Sequence, residues 1–134
     1  MNYTPQDRDV LRLYRRHMGD PGATLTPALT RVYRDVRGAI TGYTVMSGKP
    51  RRERPAHLEW IWAPGAGRAV LAHTLKYLRE AGASRLDLQV SLDPNEKKAT
   101  VLRRLNFYIS HGFKATDVKF RGDAGSLLSM TLLL

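Results

Sequence analysis

The sequence predicts a mixed α/β fold in one domain, and three observations predict it. The chain has 134 residues of which 43% are hydrophobic, enough for one core and too few for two. Its apolar residues switch between the three-to-four step of amphipathic helices and the alternation of half-buried strands. Clusters of Gly, Pro, Asn and Asp fall between these segments, which gives the order α, β, β, β, α, β, α, β, β with no internal repeat and no low-complexity segment.

Each element has its own signal. Pro5 to Met18 follows a candidate Thr4 cap, carries Asp7 and Asp9 in its first turn, and repeats Val10, Leu11, Tyr14 and His17 or Met18 at helical spacing until Gly19-Asp20-Pro21-Gly22 stops it. Leu29 to Asp35 and Ala39 to Ser47 are rich in Val, Ile, Thr and Tyr around the turn Val36-Arg37-Gly38, which predicts a hairpin. Gly48 to Pro55 is a basic loop, and Leu58 to Ala63 is a third strand with Trp60 and Trp62 on one face and Glu59 and Ile61 on the other. Pro64-Gly65-Ala66-Gly67-Arg68-Ala69 runs into the helical stripe Val70, Leu71, Leu75, Leu78 and Ala81, ended by Gly82. Arg85 to Ser91 alternates as a strand. Asp93-Pro94-Asn95 opens the next helix, with Ala99, Leu102, Leu105 or Asn106, and Ile109 in register until Gly112. Phe113 to Phe120 and Ser126 to Leu134 read as two final strands around Arg121-Gly122-Asp123.

Composition narrows the function classes. The absence of cysteine excludes a disulfide framework, a thiolate metal site and a cysteine nucleophile. No apolar run approaches the roughly 20 residues of a spanning helix, and Met1 to Asp9 is polar, so the expectation is a soluble cytoplasmic protein with no membrane partner. Twenty-two Lys and Arg against 12 Asp and Glu give a net charge of +10, and 16 of the 22 are Arg, whose planar fork matches phosphate. A nucleic acid or other polyanion is therefore a candidate partner, against the plainer reading of charge for solubility. The excess is spread along the chain and forms no basic tail.

The segment with the sharpest chemical content is Gly65 to Ala69. A strand ending in Gly-x-Gly-x-Ala and feeding a helix presents free backbone amides at the positive end of the helix dipole, which suits a phosphate. Two glycines let the backbone approach the phosphate oxygens, and Arg68 can add a charged contact. The alternative is plain turn chemistry. The loop lacks the Lys-Ser or Lys-Thr pair of a P-loop, and the dinucleotide fingerprint is poorly matched.

From Gly65 to Phe113 the chain resembles the GNAT N-acetyltransferases. Gly65-Ala66-Gly67 resembles that family's Arg/Gln-x-x-Gly-x-Gly/Ala signature, with Trp62 standing at the Arg/Gln position. Tyr108-Ile109-Ser110-His111-Gly112-Phe113 resembles its Tyr-x-x-x-Gly-Phe helix ending. The order of elements fits over nearly the whole chain. The resemblance implies a mixed, mostly antiparallel central sheet flanked by helices, with an acetyl-CoA cleft between two splayed strands, Leu58 to Ala63 and Arg85 to Ser91. It places the pyrophosphate on the loop Gly65, Ala66, Gly67, Arg68 and Ala69, and the pantetheine arm along the strand edge near Ile61 and Ala63. It makes Tyr108 the acid that protonates the departing thiolate, with an aromatic plug as the alternative. Asn95 resembles the family's cofactor-contacting asparagine, or is a helix cap. The interval from Asn95 to Tyr108 is longer than usual in the family.

On the acceptor side, transfer to an amine needs a base. Glu59 sits near the place from which several GNAT enzymes supply a glutamate, and burial in the cleft would raise its pKa into a useful range. His57 and His111 are second choices, or surface histidines. No metal-ligand spacing and no nucleophile triad occur, so direct transfer without a metal is expected. The acceptor would be shaped by Gly19 to Thr26 and by Gly48 to Pro55, with Arg51, Arg52 and Arg54 along one edge, or these arginines are simply a solvated loop. The leading function is an acetyl-CoA-dependent N-acyltransferase of unknown acceptor. The alternative is a basic nucleic-acid-binding or nucleic-acid-modifying protein on the same scaffold.

Overall fold

The computed structural model describes Arg12 and residues 30–134. The expected helix Pro5 to Met18 and the loop Gly19 to Thr26 lie outside the described residues, apart from Arg12, which is helical and exposed. The described elements are β1 (Thr30–Arg34), β2 (Ile40–Met46), β3 (Pro55–Trp62), α1 (Gly67–Glu80), β4 (Arg85–Leu92), α2 (Lys98–Ser110), β5 (Lys114–Phe120) and β6 (Ser126–Leu133). The strands form one sheet in the order β1-β2-β3-β4-β6-β5. Every neighbouring pair is antiparallel except β3 and β4. That parallel pair is joined through α1, as a parallel pair must be by a crossover.

The hairpin β1–β2 turns at Val36-Arg37-Gly38, as the sequence suggests, with each strand one residue shorter at the turn, ending at Arg34 and resuming at Ile40. Asp35 ends it from outside the strand: its carboxylate accepts N–H groups of Arg37 at 2.8 Å and Ala39 at 3.0 Å, a side-chain substitute for the ladder. β3 starts at Pro55 rather than Leu58, because Pro55, Ala56, His57 and Leu58 pair with Arg85, Leu86, Asp87 and Leu88.

Both helices end in the same way. After α1, Gly82 (φ +77) follows the C-cap, its N–H bonds Arg79 O at 3.0 Å, and Ala83 N–H bonds Leu78 O at 3.0 Å. After α2, Gly112 (φ +92) bonds Ile109 O at 3.0 Å and Phe113 N–H bonds Tyr108 O at 3.1 Å. This is the Schellman pattern, and the apolar contact that accompanies it is the edge-on packing of Tyr108 against Phe113 at 5.5 Å between ring centroids. The Tyr-x-x-x-Gly-Phe ending is thus first of all a helix stop.

The start of α2 differs from the sequence expectation. The helix begins at Lys98 with Lys97 as its cap residue, so Asn95 is not the cap. Asp93 competes with the backbone for local hydrogen bonds: its carboxylate takes the Asn95 N–H at 2.8 Å and its carbonyl the Glu96 N–H at 3.2 Å, which holds 93–96 as a turn. Arg104 fastens that turn to the helix through Glu96 at 2.8 Å and reaches Ser91 O at 3.4 Å.

The main core lies between the sheet and the two helices. Leu71, Leu75 and Leu78 of α1 and Tyr108 of α2 pack with Met46, Leu58, Leu86, Leu88, Val90 and Met130. Period-two alternation along β4 puts Leu86, Leu88 and Val90 on this face and Arg85, Asp87 and Gln89 on the other. A second cluster, Val32, Tyr43 and Val45 with Trp60 and Trp62, occupies the face away from the helices. Gly42 marks a tight approach between layers, since a Cβ there would stand 2.7 Å from Trp62 O and 3.0 Å from Val70 Cγ2.

Candidate active site

The cleft begins where β3 and β4 part. Their ladder runs from Pro55↔Arg85 to Leu58↔Leu88 and stops, although β3 continues to Trp62 and β4 to Leu92. Each strand stays paired on its outer side, β3 with β2 up to Trp62 and β4 with β6 up to Leu92. Among the described residues, the facing edges, Glu59 to Trp62 and Gln89 to Leu92, are therefore left without strand partners, an opening for an extended ligand backbone. A bulge in β3 accounts for the divergence. Val45 pairs with Trp60 and Met46 with Leu58, so Glu59 is the extra residue, and a bulge bends and twists its strand.

The bulge also corrects the simple alternation. Leu58 and Ile61, three residues apart, both pack on the helix side, while Trp60 and Trp62 share the opposite face as expected. Trp60 Nε1 donates to Tyr43 Oη at 3.0 Å, and Trp62 stacks on Tyr43 at 5.8 Å. Glu59 is exposed, so the burial that would ready it as a base is missing.

At the open end of the cleft lies the loop before α1. Gly65 adopts φ +71, which favours glycine. Ala66 donates its own N–H to Ala63 O at 3.0 Å, and Val70 makes the first helical bond, to Ala66 O at 3.0 Å. The N–H groups of Gly65, Gly67, Arg68 and Ala69 have no acceptor among the described residues. No side chain caps the helix, and no acid stands in its first turn. Such an uncapped, positive helix end fits an anion. The free amides are those of Gly65, Gly67, Arg68 and Ala69, while the Ala66 amide is engaged within the turn. Gly67 has a further role: a Cβ there would meet the Phe107 ring at 3.2 Å, so this glycine lets α2 close against the loop.

That approach brings Tyr108, the next residue of α2, toward the same region. Its ring is buried against Phe107 and Phe113, at 5.2 and 5.5 Å between centroids. Its hydroxyl has no hydrogen-bond partner among the described residues. Burial pushes the phenol above the ordinary 10.0 by penalising the phenolate, and the Arg104 charge opposes this. The phenol therefore holds its proton throughout the neutral range. His111 is otherwise engaged: its Nδ1 bonds Phe107 O at 2.7 Å and its ring packs on Phe107 at 4.7 Å, which closes the helix end. Asn95 is exposed in the turn before α2.

The arginine loop is not at the open end of the cleft. Glu53 N–H bonds Gly82 O at 2.8 Å and Ser84 N–H bonds Arg54 O at 2.9 Å, so residues 51–54 are pinned beside the C-terminal end of α1. Arg52 lies against Gly82, where a Cβ would be 2.9 Å from its Cγ. Pro55 is the end of β3 opposite Trp62, and an eight-residue strand spans roughly 23 Å. The arginines favour the negative end of the α1 dipole there. Sequence reasoning missed the bulge at Glu59 and the close approach at Gly42; the glycine inside a strand pattern was the available signal for the second.

No protein-family model and no curated protein sequence matches the chain. Solved structures do. Ard1 from Thermoplasma volcanium superposes with a TM-score of 0.63 at 21% identity, covering 93% of this chain and 77% of that one. The spermidine N-acetyltransferase SpeG from Vibrio cholerae superposes with a TM-score of 0.63 at 16% identity, covering 93% and 73%. A chain of the NatC complex bound to Gag peptide and CoA gives 0.61 at 15% identity, covering 94% and 79%. With the six-stranded mixed sheet, the β3–β4 divergence and the uncapped start of α1, this likeness gives the chain the fold of the GNAT N-acetyltransferases.

Proposed function

We propose that this chain is a cytoplasmic, single-domain N-acyltransferase that takes its acyl group from acetyl-CoA and transfers it directly to an amine. The observation that carries the reading is the parting of β3 from β4 beyond Leu58 and Leu88, with four amides at the open end that are unpaired among the described residues. The amides of Gly65, Gly67, Arg68 and Ala69 would hold the pyrophosphate, with Arg68 adding charge and Asn95 within the neighbouring turn. The β3 edge near Ile61 and Ala63 would hold the pantetheine arm. When bound, acetyl-CoA supplies an activated thioester. Tyr108 would keep a proton ready for the departing sulfur, and exposed Glu59 would draw in the ammonium form of an acceptor. SpeG, Ard1 and NatC share the fold, and SpeG is a spermidine N-acetyltransferase, which supports transfer to an amine here.

Calorimetry with acetyl-CoA and CoA tests this directly. Arg68→Glu is the variant of choice, because Arg68 is exposed and an acid in a first helical turn favours the helix by about 0.3–1 kcal/mol. Thermal stability should hold while CoA affinity falls by about tenfold or more, the loss of one charge-assisted hydrogen bond of roughly 1.5–3 kcal/mol. Unchanged affinity would remove the loop from the binding site. Gly67→Asp is a poorer test, since it also displaces Phe107.

The alternative partner, a nucleic acid or other polyanion, would find Lys49, Arg51, Arg52 and Arg54 at the far end of the sheet. None of the four has an ion-pair partner among the described residues. Neutralising the three arginines would lower a salt-sensitive affinity for duplex DNA and leave acetyl-CoA binding unchanged.

A further inference from the structure

Among the described residues β5 is an outer strand of the sheet, and all seven of its residues are exposed. Which of its backbone groups face outward follows from alternation. In an antiparallel ladder, residues that exchange hydrogen bonds with the partner strand alternate with residues whose N–H and C=O point the other way. Arg121 N–H bonds Gly125 O at 2.7 Å, just beyond the last ladder pair, Phe120 with Ser126. Counting back by twos, Lys119 with Leu127 and Asp117 with Ser129 are the hydrogen-bonded pairs, and Val118 and Phe120 turn their N–H and C=O to the open edge. The other side of β6 has the same phase. Leu134 N–H bonds Ser84 O at 3.2 Å, so Leu132, Met130 and Leu128 bond to β4, which leaves Ser129 and Leu127 for β5.

The side chains of β5 divide between the two faces. Val118 stands opposite Leu128, which packs on the main core, so Val118 and Phe120 project on the helix side, 57% and 77% exposed. Asp117 and Lys119 project on the other face, and neither has an ion-pair partner among the described residues. Outer strands are commonly blunted by a bulge, a proline or unmatched charge. Here the bulge lies at Thr116, the strand has no proline, and residues 117–120 pair regularly.

Charge selects one way for this edge to meet a copy of itself. A two-fold axis normal to the sheet sets the two strands antiparallel and passes through one residue of each. An axis through Asp117 or Lys119 sets like charges opposite, an axis through Phe120 sets Lys119 opposite Arg121, and an axis through Thr116 falls in the bulge. An axis through Val118 sets Asp117 of each copy opposite Lys119 of the other. These are non-hydrogen-bonded pairs, in which opposed side chains stand closest, while the two Val118 residues exchange N–H and C=O and bury their side chains together. We propose that β5 pairs with β5 of a second copy in this register, making a dimer whose sheet runs continuously across the axis. The β3–β4 cleft lies farther in, beyond β6 and β4, and stays open.

Sedimentation velocity of the full chain tests the pairing. A single-strand contact is at the small end of specific interfaces, so a monomer–dimer equilibrium with a midpoint on the order of 10 μM is expected. Asp117→Lys and Lys119→Asp, each alone, should weaken it by about tenfold or more, since each puts like charges opposite across the axis. An equimolar mixture of the two variants should dimerise again, and so should the chain carrying both substitutions. Val118→Pro removes an outward N–H and no bond to β6, so it should abolish the dimer while circular dichroism shows the fold retained. Acetyl-CoA binding should be the same in all of them. A chain that stays monomeric up to about 200 μM overturns the proposal. So does a dimer that the single variants and Val118→Pro leave intact, or a mixture of the two charge variants that fails to associate.

Discussion

Replacing Tyr108 by phenylalanine is expected to lower kcat by about 10²–10⁴-fold with little change in acetyl-CoA affinity, the signature of a group that acts as an acid in the transition state. The substitution removes only the hydroxyl, which bonds nothing among the described residues, and keeps the ring packing on Phe107 and Phe113. The melting temperature should therefore barely move. Steady-state kinetics with any accepted amine, alongside calorimetry, separates the outcomes. An equal loss of cofactor affinity would make Tyr108 a positioning residue, and an unchanged kcat would leave it as the aromatic partner of the helix stop. The pH profile adds a check. Because burial raises the phenol above 10.0, the alkaline limb owed to Tyr108 lies above that value in the unmodified protein and is absent from the variant.

The second large effect concerns stability. Leu71→Ala should destabilise the fold by about 2–5 kcal/mol, because Leu71 is fully buried and its removal leaves a cavity between α1 and the sheet. The urea midpoint should fall at unchanged slope, and the melting temperature should drop by roughly 10 °C or more. Leu71 is on the second turn of the helix whose first amides are the proposed anion site, so on that reading CoA affinity should weaken in parallel at temperatures near the new midpoint. Leu71→Met, which nearly conserves volume, should cost less than about 1.5 kcal/mol. A loss below about 1 kcal/mol for the alanine variant would mean that α1 does not depend on this contact.

Local pattern accounts for some elements of the fold and tertiary contact for others. The strands β2, β4 and β6 and the body of α1 were legible because their patterns are long and one-sided, as in Leu86, Leu88 and Val90 or Leu71, Leu75 and Leu78. The helix stops at Gly82 and Gly112 were legible too, since a left-handed residue is needed there and glycine supplies it. The ends of β3 and α2 were not. Pro55 to Leu58 is a strand because β4 lies beside it, and Asp93 to Lys97 is a turn because one carboxylate competes with the helix. Neither partner can be inferred from local spacing.

The same reasoning divides the site. The sequence by itself determined the open amides of Gly65, Gly67, Arg68 and Ala69, because an uncapped strand-to-helix turn with two glycines is a local feature whose electrostatics follow from the backbone. It also determined that Tyr108 sits one residue beyond Phe107 on a helix that stops at Gly112. Only the tertiary structure decided that Glu59 is the extra residue of a bulge and faces solvent, and that Arg51, Arg52 and Arg54 lie at the other end of the sheet. These depend on register between strands far apart in the chain. A one-residue slip exchanges the two faces of a strand, and local periodicity does not carry register.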